Sequence, residues 1–298
     1  MQMLPNDFRD ALRANLLTVM WRQWSALGLA THSAVEDRHP VDMEALLVAS
    51  AVLSSHDQRL TKLAEEWLCL NRTLVLKARV IRMCQVLEQL AGKHHIDVAP
   101  LDPEQVIGSE KADSTGSKRA ISPGPSGLAI AQVNLRRLFG INARADLLLY
   151  LISGRSGSSA GIARAVWFDQ KAVYRTLESW AEAGVCTRPR AHSADGYILV
   201  RTDEWLQLLN LDQPVSWVNW AENLFPLLLV HHATSTPPWA EDRYLLSSLL
   251  RELYDGLTVT GRPWGIRFPD HHSHPGEVLF EPAAMAVLEL AGAITGAV

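Results

Sequence analysis

The segment from Asn142 to Arg201 constrains the fold more than any other part of this chain. Its pattern predicts three helices followed by a β-hairpin. The third helix is predicted from Gln170 to Ala183, because its apolar residues recur at the spacing that buries one face of a helix. Asp169 can cap the first turn, and Gly184 can adopt the left-handed conformation that ends a helix. The apolar stripe consists of Val173, Leu177, Trp180 and Ala181.

The opposite face of this helix carries polar and cationic side chains, namely Gln170, Lys171, Tyr174, Arg175 and Glu178. Hydrogen-bond donors and positive charge lie toward its N-terminal end, which is the end that a recognition helix inserts into the major groove. The preceding helix, predicted from Ser159 to Trp167, is short and joined to it by a tight connection. This spacing is typical of a helix-turn-helix.

Two segments that follow Gly184 favour a β-hairpin. Residues 185–190 and 196–201 are rich in strand-forming residues, and they flank a polar, turn-forming tip at 191–195. A hairpin directly after a recognition helix is the wing of a winged helix.

In these residues the chain resembles bacterial winged-helix transcriptional regulators of the MarR and ArsR type. The resemblance lies in Ile162–Ala165, Gln170–Leu177 and Ala181–Val185, and the segment covers about a fifth of the chain. It implies a winged-helix fold, although winged helices also serve as protein-interaction modules. A block from Val41 to Arg72 is similar to one that precedes a winged helix in bacterial proteins, which implies an architecture and no activity.

The distribution of charge favours contact with DNA. Residues 135–201 contain ten basic residues, Arg136 among them, against five acidic ones, so this segment carries a charge of +5. The whole chain has 28 basic and 32 acidic residues, which leaves −9 for the remainder. A positive segment on an acidic chain suits phosphate contact. The alternative is that these arginines only keep the surface solvated.

Length and composition indicate a globular protein of about two domains. The chain has 298 residues, of which 48% are hydrophobic, and no apolar run approaches the length of a membrane span. Its first residues lack a signal-peptide pattern, so we expect a cytoplasmic protein without a membrane partner. The three cysteines, Cys69, Cys84 and Cys186, are too far apart for a disulfide framework or a zinc motif.

Periodicity outside the central segment is also helical, so the predicted fold class is mainly α. We expect a helical N-terminal domain at 1–96, a flexible linker rich in Pro, Gly and Ser at 97–130, the winged helix at 131–203, and a helical C-terminal region at 204–298. The C-terminal region is a candidate for dimerisation or partner binding.

Two stretches contain residues with catalytic potential. Asp270–His274, with Glu277, offers imidazoles and carboxylates, but it lacks the i, i+4 spacing that brings two histidines to one ion on a helix. Gly154–Gly161 resembles a phosphate-binding loop, yet it follows a helix where such a loop follows a strand, and it has no Gly-Lys-Ser/Thr ending. We therefore predict no metal, no cofactor and no enzymatic activity.

The sequence thus predicts a transcriptional regulator that binds double-stranded DNA and acts by occupying an operator. Gln170, Lys171, Tyr174 and Arg175 are predicted to contact bases, and Arg164, Arg188, Arg190 and His192 are predicted to contact phosphates or the minor groove. An alternative is an antitoxin or adaptor in a toxin–antitoxin or defence operon that binds a protein partner. A metal-dependent hydrolase is a weaker alternative, and a homodimer remains open.

Overall fold

The protein is mainly α-helical, as predicted. The computed structural model describes residues 3–29, 39–108, 127–188, 196–211, 214–237, 239–240 and 242–297. Helices make up 70% of the described residues, and the strands within the described ranges form one two-stranded sheet.

The helices fall into three groups along the chain. The N-terminal group consists of α1 (Pro5–Ala26), α2 (Met43–Leu53), α3 (Gln58–Asn71), α4 (Lys77–Lys93) and α5 (Pro103–Ile107). The central group consists of α6 (Ala131–Phe139), α7 (Ala143–Ile152), α8 (Ser159–Ala165), α9 (Gln170–Glu182), the strands β1 (Cys186–Thr187) and β2 (Ile198–Leu199), and α10 (Thr202–Leu208). The C-terminal group consists of α11 (Trp220–Ser235), α12 (Arg243–Glu252), α13 (Tyr254–Gly261) and α14 (Phe280–Ala297). Short 3-10 helices lie at Arg72–Leu74, Leu128–Ile130, Arg262–Trp264 and Gly276–Leu279.

The N-terminal and C-terminal groups share one hydrophobic core, the first core of the protein. Helix α1 packs against α11 and α14. The rings of Phe8 and Phe280 meet edge to face with their centroids 5.8 Å apart, and the Trp220 indole donates a hydrogen bond of 2.7 Å to the Pro40 carbonyl. The division predicted from the sequence treats 1–96 and 204–298 as separate regions, whereas their apolar faces bury each other here.

Residues 276–296 form a stretch that is long and apolar enough to cross a membrane by length and composition. The expectation that no run approaches this length is therefore wrong. Half of the most apolar window in this stretch is buried inside the protein. Val287, Leu290 and Ile294 are fully buried in the first core, where α14 packs against α1 and α12. Packing inside the protein accounts for the apolar residues on this face.

Both ends of the predicted linker are packed. Asp102 caps α5, and Val106 and Ile107 are buried in the first core. On the other side, Ala129 is buried and its carbonyl accepts a hydrogen bond of 3.0 Å from the Val41 amide. The prediction of a linker spanning 97–130 is therefore too long at each end, because apolar residues there have partners in the core. Residues 109–126 lie outside the described ranges.

A second, smaller core lies under the central helices. It contains Leu147 of α7, Ile162 of α8, Val173 and Leu177 of α9, and Leu199 of β2. Apolar spacing on α9 predicted the burial of Val173 and Leu177, and the structure confirms it, since both side chains are fully buried.

A buried network of charges joins the central helices to the N-terminal ones. Arg136 of α6 lies between Glu44 of α2 and Asp146 of α7, with nitrogen–oxygen distances of 3.0 and 2.9 Å. Arg79 of α4 pairs with Glu44 and with Asp42, the residue that caps α2. All five side chains are at most 7% exposed.

The ionisation of this network follows from burial and proximity. Burial raises the pKa of Glu44, but Arg136 and Arg79 together outweigh burial and hold it at about 2. Burial raises the pKa of Asp42, because the attraction of Arg79 does not fully compensate it. Three carboxyl groups face two guanidinium groups in this network.

Removal of one cation should therefore destabilise the protein strongly. Arg136→Met leaves Glu44 and Asp146 buried without their main partner, and we expect the free energy of unfolding to fall by about 3–5 kcal/mol. Urea denaturation measures this loss. The control is Arg137→Met, since Arg137 is exposed and donates one hydrogen bond of 3.2 Å to Asn71. Equal losses in the two variants would contradict the role of the network.

The low pKa of Glu44 also predicts how stability depends on pH. The folded-state pKa of about 2 lies below the ordinary value of 4.5, so the stabilisation by this carboxylate is complete above pH 4.5 and is lost as the pH falls toward 2. The difference in unfolding free energy between the parent and Glu44→Gln should therefore shrink over that range. Denaturation curves at several pH values measure it, and a constant difference would contradict the assignment.

Candidate nucleic-acid interface

Side-chain caps fix the starts of α8 and α9. The Ser158 hydroxyl accepts a hydrogen bond of 3.1 Å from the Gly161 amide. The Asp169 carboxylate accepts hydrogen bonds of 3.0 and 3.1 Å from the amides of Lys171 and Ala172. Gly184 has φ of 73°, the left-handed conformation that favours glycine, just beyond the end of α9. The predicted cap at Asp169 and the predicted helix end at Gly184 are confirmed.

The outer face of α9 is exposed to solvent. Gln170, Lys171 and Arg175 are exposed, and Tyr174 is 49% exposed. Neither Lys171 nor Arg175 makes an ion pair or a side-chain hydrogen bond to any residue that the structure describes. The structure thus places the four residues that are predicted to contact bases in the first two turns of α9, where all four are exposed.

The turn between α8 and α9 is anchored to the first core through Trp167. Its indole nitrogen donates a hydrogen bond of 3.0 Å to the side chain of Asn219, and its ring packs edge to face against Phe225 of α11. Trp167 has φ of 62°, which is uncommon for a bulky residue and costs on the order of 1–3 kcal/mol. The sequence pattern predicts Trp167 as the last residue of α8, and it does not predict the contacts of Trp167 with Asn219 and Phe225.

The predicted hairpin is present at its base. Cys186 pairs with Leu199 and Thr187 with Ile198 in antiparallel register. Gly157 and Tyr197 form a further bridge beside this pair. A Cβ atom at position 196 would lie 2.1 Å from the Gly157 nitrogen, so glycine at 196 allows this close approach.

Tyr197 and Arg188 connect the hairpin to α9 through Glu178. The Tyr197 hydroxyl donates a hydrogen bond of 2.6 Å to Glu178, and Arg188 donates one of 3.0 Å to the same carboxylate. Arg188 also lies 3.4 Å from Glu182. The hydrogen bond from Tyr197 and the charge of Arg188 lower the pKa of Glu178. Sequence reasoning did not find this set, because its members are separated along the chain.

The remaining predicted phosphate contacts have different environments. Arg164 is exposed on α8. Burial raises the pKa of Glu222 on α11, and the charge of Arg164 offsets part of that rise. Arg188 pairs with the carboxylates of Glu178 and Glu182. Its guanidinium therefore already has partners, whereas the prediction treats it as a phosphate contact. Arg190 and His192 lie outside the described residues, as does the hairpin tip.

The net charge of residues 135–201 stays positive although Arg136 is buried. This arginine was counted as part of the positive segment, but it is buried with Asp146 and cannot reach a phosphate. Removing both residues leaves nine basic and four acidic residues between 135 and 201, so the charge stays at +5.

Comparisons with protein-family models, curated proteins and solved structures find no significant match to this chain.

The contact between Tyr197 and Glu178 can be tested by titration. Tyr197→Phe removes the hydroxyl that stabilises the carboxylate, so the pKa of Glu178 should rise toward its ordinary value of 4.5. NMR of the Glu178 carboxyl carbon measures this shift. Tyr174→Phe is the matched control, because Tyr174 makes no described hydrogen bond to Glu178. A Glu178 pKa that is the same in the parent and in Tyr197→Phe would contradict the contact.

Proposed function

We propose that the segment from α7 to β2 is a winged helix, and that the protein binds double-stranded DNA and regulates transcription by occupying an operator. The observation that carries this proposal is the outer face of α9. It presents four solvated side chains that can donate hydrogen bonds, and its two cations have no partner among the described residues.

The chemistry of this face suits the major groove. An arginine can bond to O6 and N7 of guanine, and a glutamine can bond to N6 and N7 of adenine. Arg175 lies one helical turn beyond Lys171, so both reach the same side of the helix. Gln170 and Lys171 stand in the first turn, where the partial positive charge of the helix N-terminus adds to the attraction of phosphates.

The hairpin has a positioning role in this proposal. Arg188 and Tyr197 hold the base of the hairpin against the C-terminal half of α9 through Glu178. Arg188 also offsets the charges of Glu178 and Glu182, which would repel DNA. In this proposal Arg190 and His192, which lie outside the described residues, contact a phosphate or the minor groove, and Arg164 contacts the backbone from α8.

The proposed role is exerted by binding alone, and it places the protein in the cytoplasm with access to DNA. A homodimer would present two such helices to a palindromic operator. The alternative proposal, an antitoxin or adaptor, would use the same exposed face of α9 to bind an acidic protein surface. Binding to duplex DNA distinguishes the two.

The decisive experiment compares variants on two duplexes, one enriched by in vitro selection and one random. Arg175→Ala should weaken binding to the selected duplex by about 1–3 kcal/mol, or roughly 5- to 150-fold, with little change on the random duplex. Arg164→Ala should weaken both, and should reduce the slope of log affinity against log salt by about one, because Arg164 is a proposed phosphate contact. Fluorescence anisotropy measures both effects.

The matched control is Arg82→Ala, since Arg82 is an exposed arginine on α4, away from the proposed face. It should bind both duplexes like the parent. If Arg175→Ala binds both duplexes like the parent while remaining folded, α9 does not contact bases, and the protein-partner alternative becomes the better proposal.

A further inference from the structure

A cluster of potential metal ligands lies between the 3-10 helix at Arg262–Trp264 and the one at Gly276–Leu279. Asp270, His271 and His272 are consecutive in a turn. A carboxylate oxygen of Asp270 and one nitrogen of each imidazole all lie within 4.8 Å of one another. The rings of His271 and His272 have their centroids 4.0 Å apart. The turn therefore directs two neighbouring imidazoles to the same side.

Hydrogen bonds from the surrounding turn hold the Asp270 carboxylate in place. One oxygen accepts a bond of 3.0 Å from the His272 amide, and the other accepts one of 2.6 Å from the Ser273 hydroxyl. The carbonyl of the same aspartate lies 2.9 Å from Nδ1 of His274. Arg251 of α12 donates a bond of 3.0 Å to the His274 carbonyl, which ties the turn to the first core.

The imidazole of His271 is also fixed, and one of its polar atoms lacks a partner. Its ring packs on Tyr254 with the centroids 4.4 Å apart. Its Nδ1 atom is buried and has no hydrogen-bond partner among the described residues. A buried polar atom without a partner is costly, and a bound ion or a ligand of that ion can supply one.

We propose that Asp270, His271 and His272 bind one divalent transition-metal ion of the zinc class. Two imidazoles and one carboxylate match the ligand preference of such ions, whereas calcium and magnesium prefer a shell made of oxygen atoms. Ligand atoms at roughly 2.1 Å from a tetrahedral ion lie roughly 3.4 Å apart, so small side-chain rotations close the present separation. Three protein ligands leave a coordination position for water or for a group from another molecule.

Metal binding at this turn does not depend on the proposed DNA-binding function, because none of the three ligands belongs to the central helices. The ion would hold Asp270, His271 and His272 together in a turn that already contacts Tyr254 through the His271 ring and Arg251 through the His274 carbonyl. It would therefore stabilise the folded state in proportion to its occupancy.

The test uses the full chain, stripped of metal with a chelator and titrated with Zn²⁺ by calorimetry. The parent should bind one ion at this turn. The double variant Asp270→Asn with His272→Ala should lose roughly 100-fold or more in affinity, since each ligand of a zinc site contributes a substantial share of its binding energy. Titration with Co²⁺ should give the visible absorption of a coordinated ion in the parent and lose it in the double variant.

Two controls keep the result interpretable. His95→Asn removes an exposed imidazole from another adjacent pair, and asparagine tolerates the φ of 54° at this position, so zinc affinity should match the parent. Zinc should raise the Tm of the parent and of His95→Asn, and should leave that of the double variant unchanged. The proposal is overturned if the parent binds neither ion, or if the double variant, folded by circular dichroism, binds zinc as tightly as the parent.

Discussion

The buried pairing of Arg79 and Arg136 with three carboxylates is the constraint on which the arrangement of the two cores depends. Arg136 and Asp146 belong to α6 and α7, which border the smaller core, and Glu44 and Arg79 belong to α2 and α4 of the larger one. Separating these helices without admitting water would leave charges buried and unpaired, at a cost of several kcal/mol. Apolar packing alone would tolerate small shifts between the cores. The fixed geometry of guanidinium and carboxylate groups does not.

A second connection places α9. Trp167 joins the turn before α9 to α11, so the larger core positions both the beginning of α7 and the beginning of α9. Glu178 then connects α9 to the hairpin. The result is a helix that is positioned at its start by Trp167 and in its C-terminal half by Glu178, while Gln170, Lys171, Tyr174 and Arg175 stay in solvent. The proposed DNA binding would require such positioning, because the side chains must meet the groove in a fixed register.

Local signals predicted local structure well. Apolar spacing and the caps at Asp169 and Gly184 predicted α9, and the segments that flank a polar, turn-forming tip predicted the hairpin. Interactions between distant residues were not predictable, because nothing in the sequence near Arg136 indicates burial, and it was counted as a surface cation. Residues 270–272 lack the helical spacing of a metal site, but helical spacing does not describe where a turn directs its side chains. Likewise, the Pro-, Gly- and Ser-rich composition of residues 97–130 did not predict that Val106, Ile107 and Ala129 are buried near the ends of this segment.

Hydrogen–deuterium exchange of the protein with and without duplex DNA tests whether α9 and the hairpin contact DNA. The account predicts that duplex slows exchange of the backbone amides of 170–178 and of the hairpin base, and leaves α1 and α14 unchanged. It also predicts that this protection disappears at high salt, since phosphate contacts weaken as counterions compete. The proposed DNA binding would be contradicted if residues 170–178 exchange at the same rate with and without DNA. This holds whether the duplex binds elsewhere on the protein or does not bind at all.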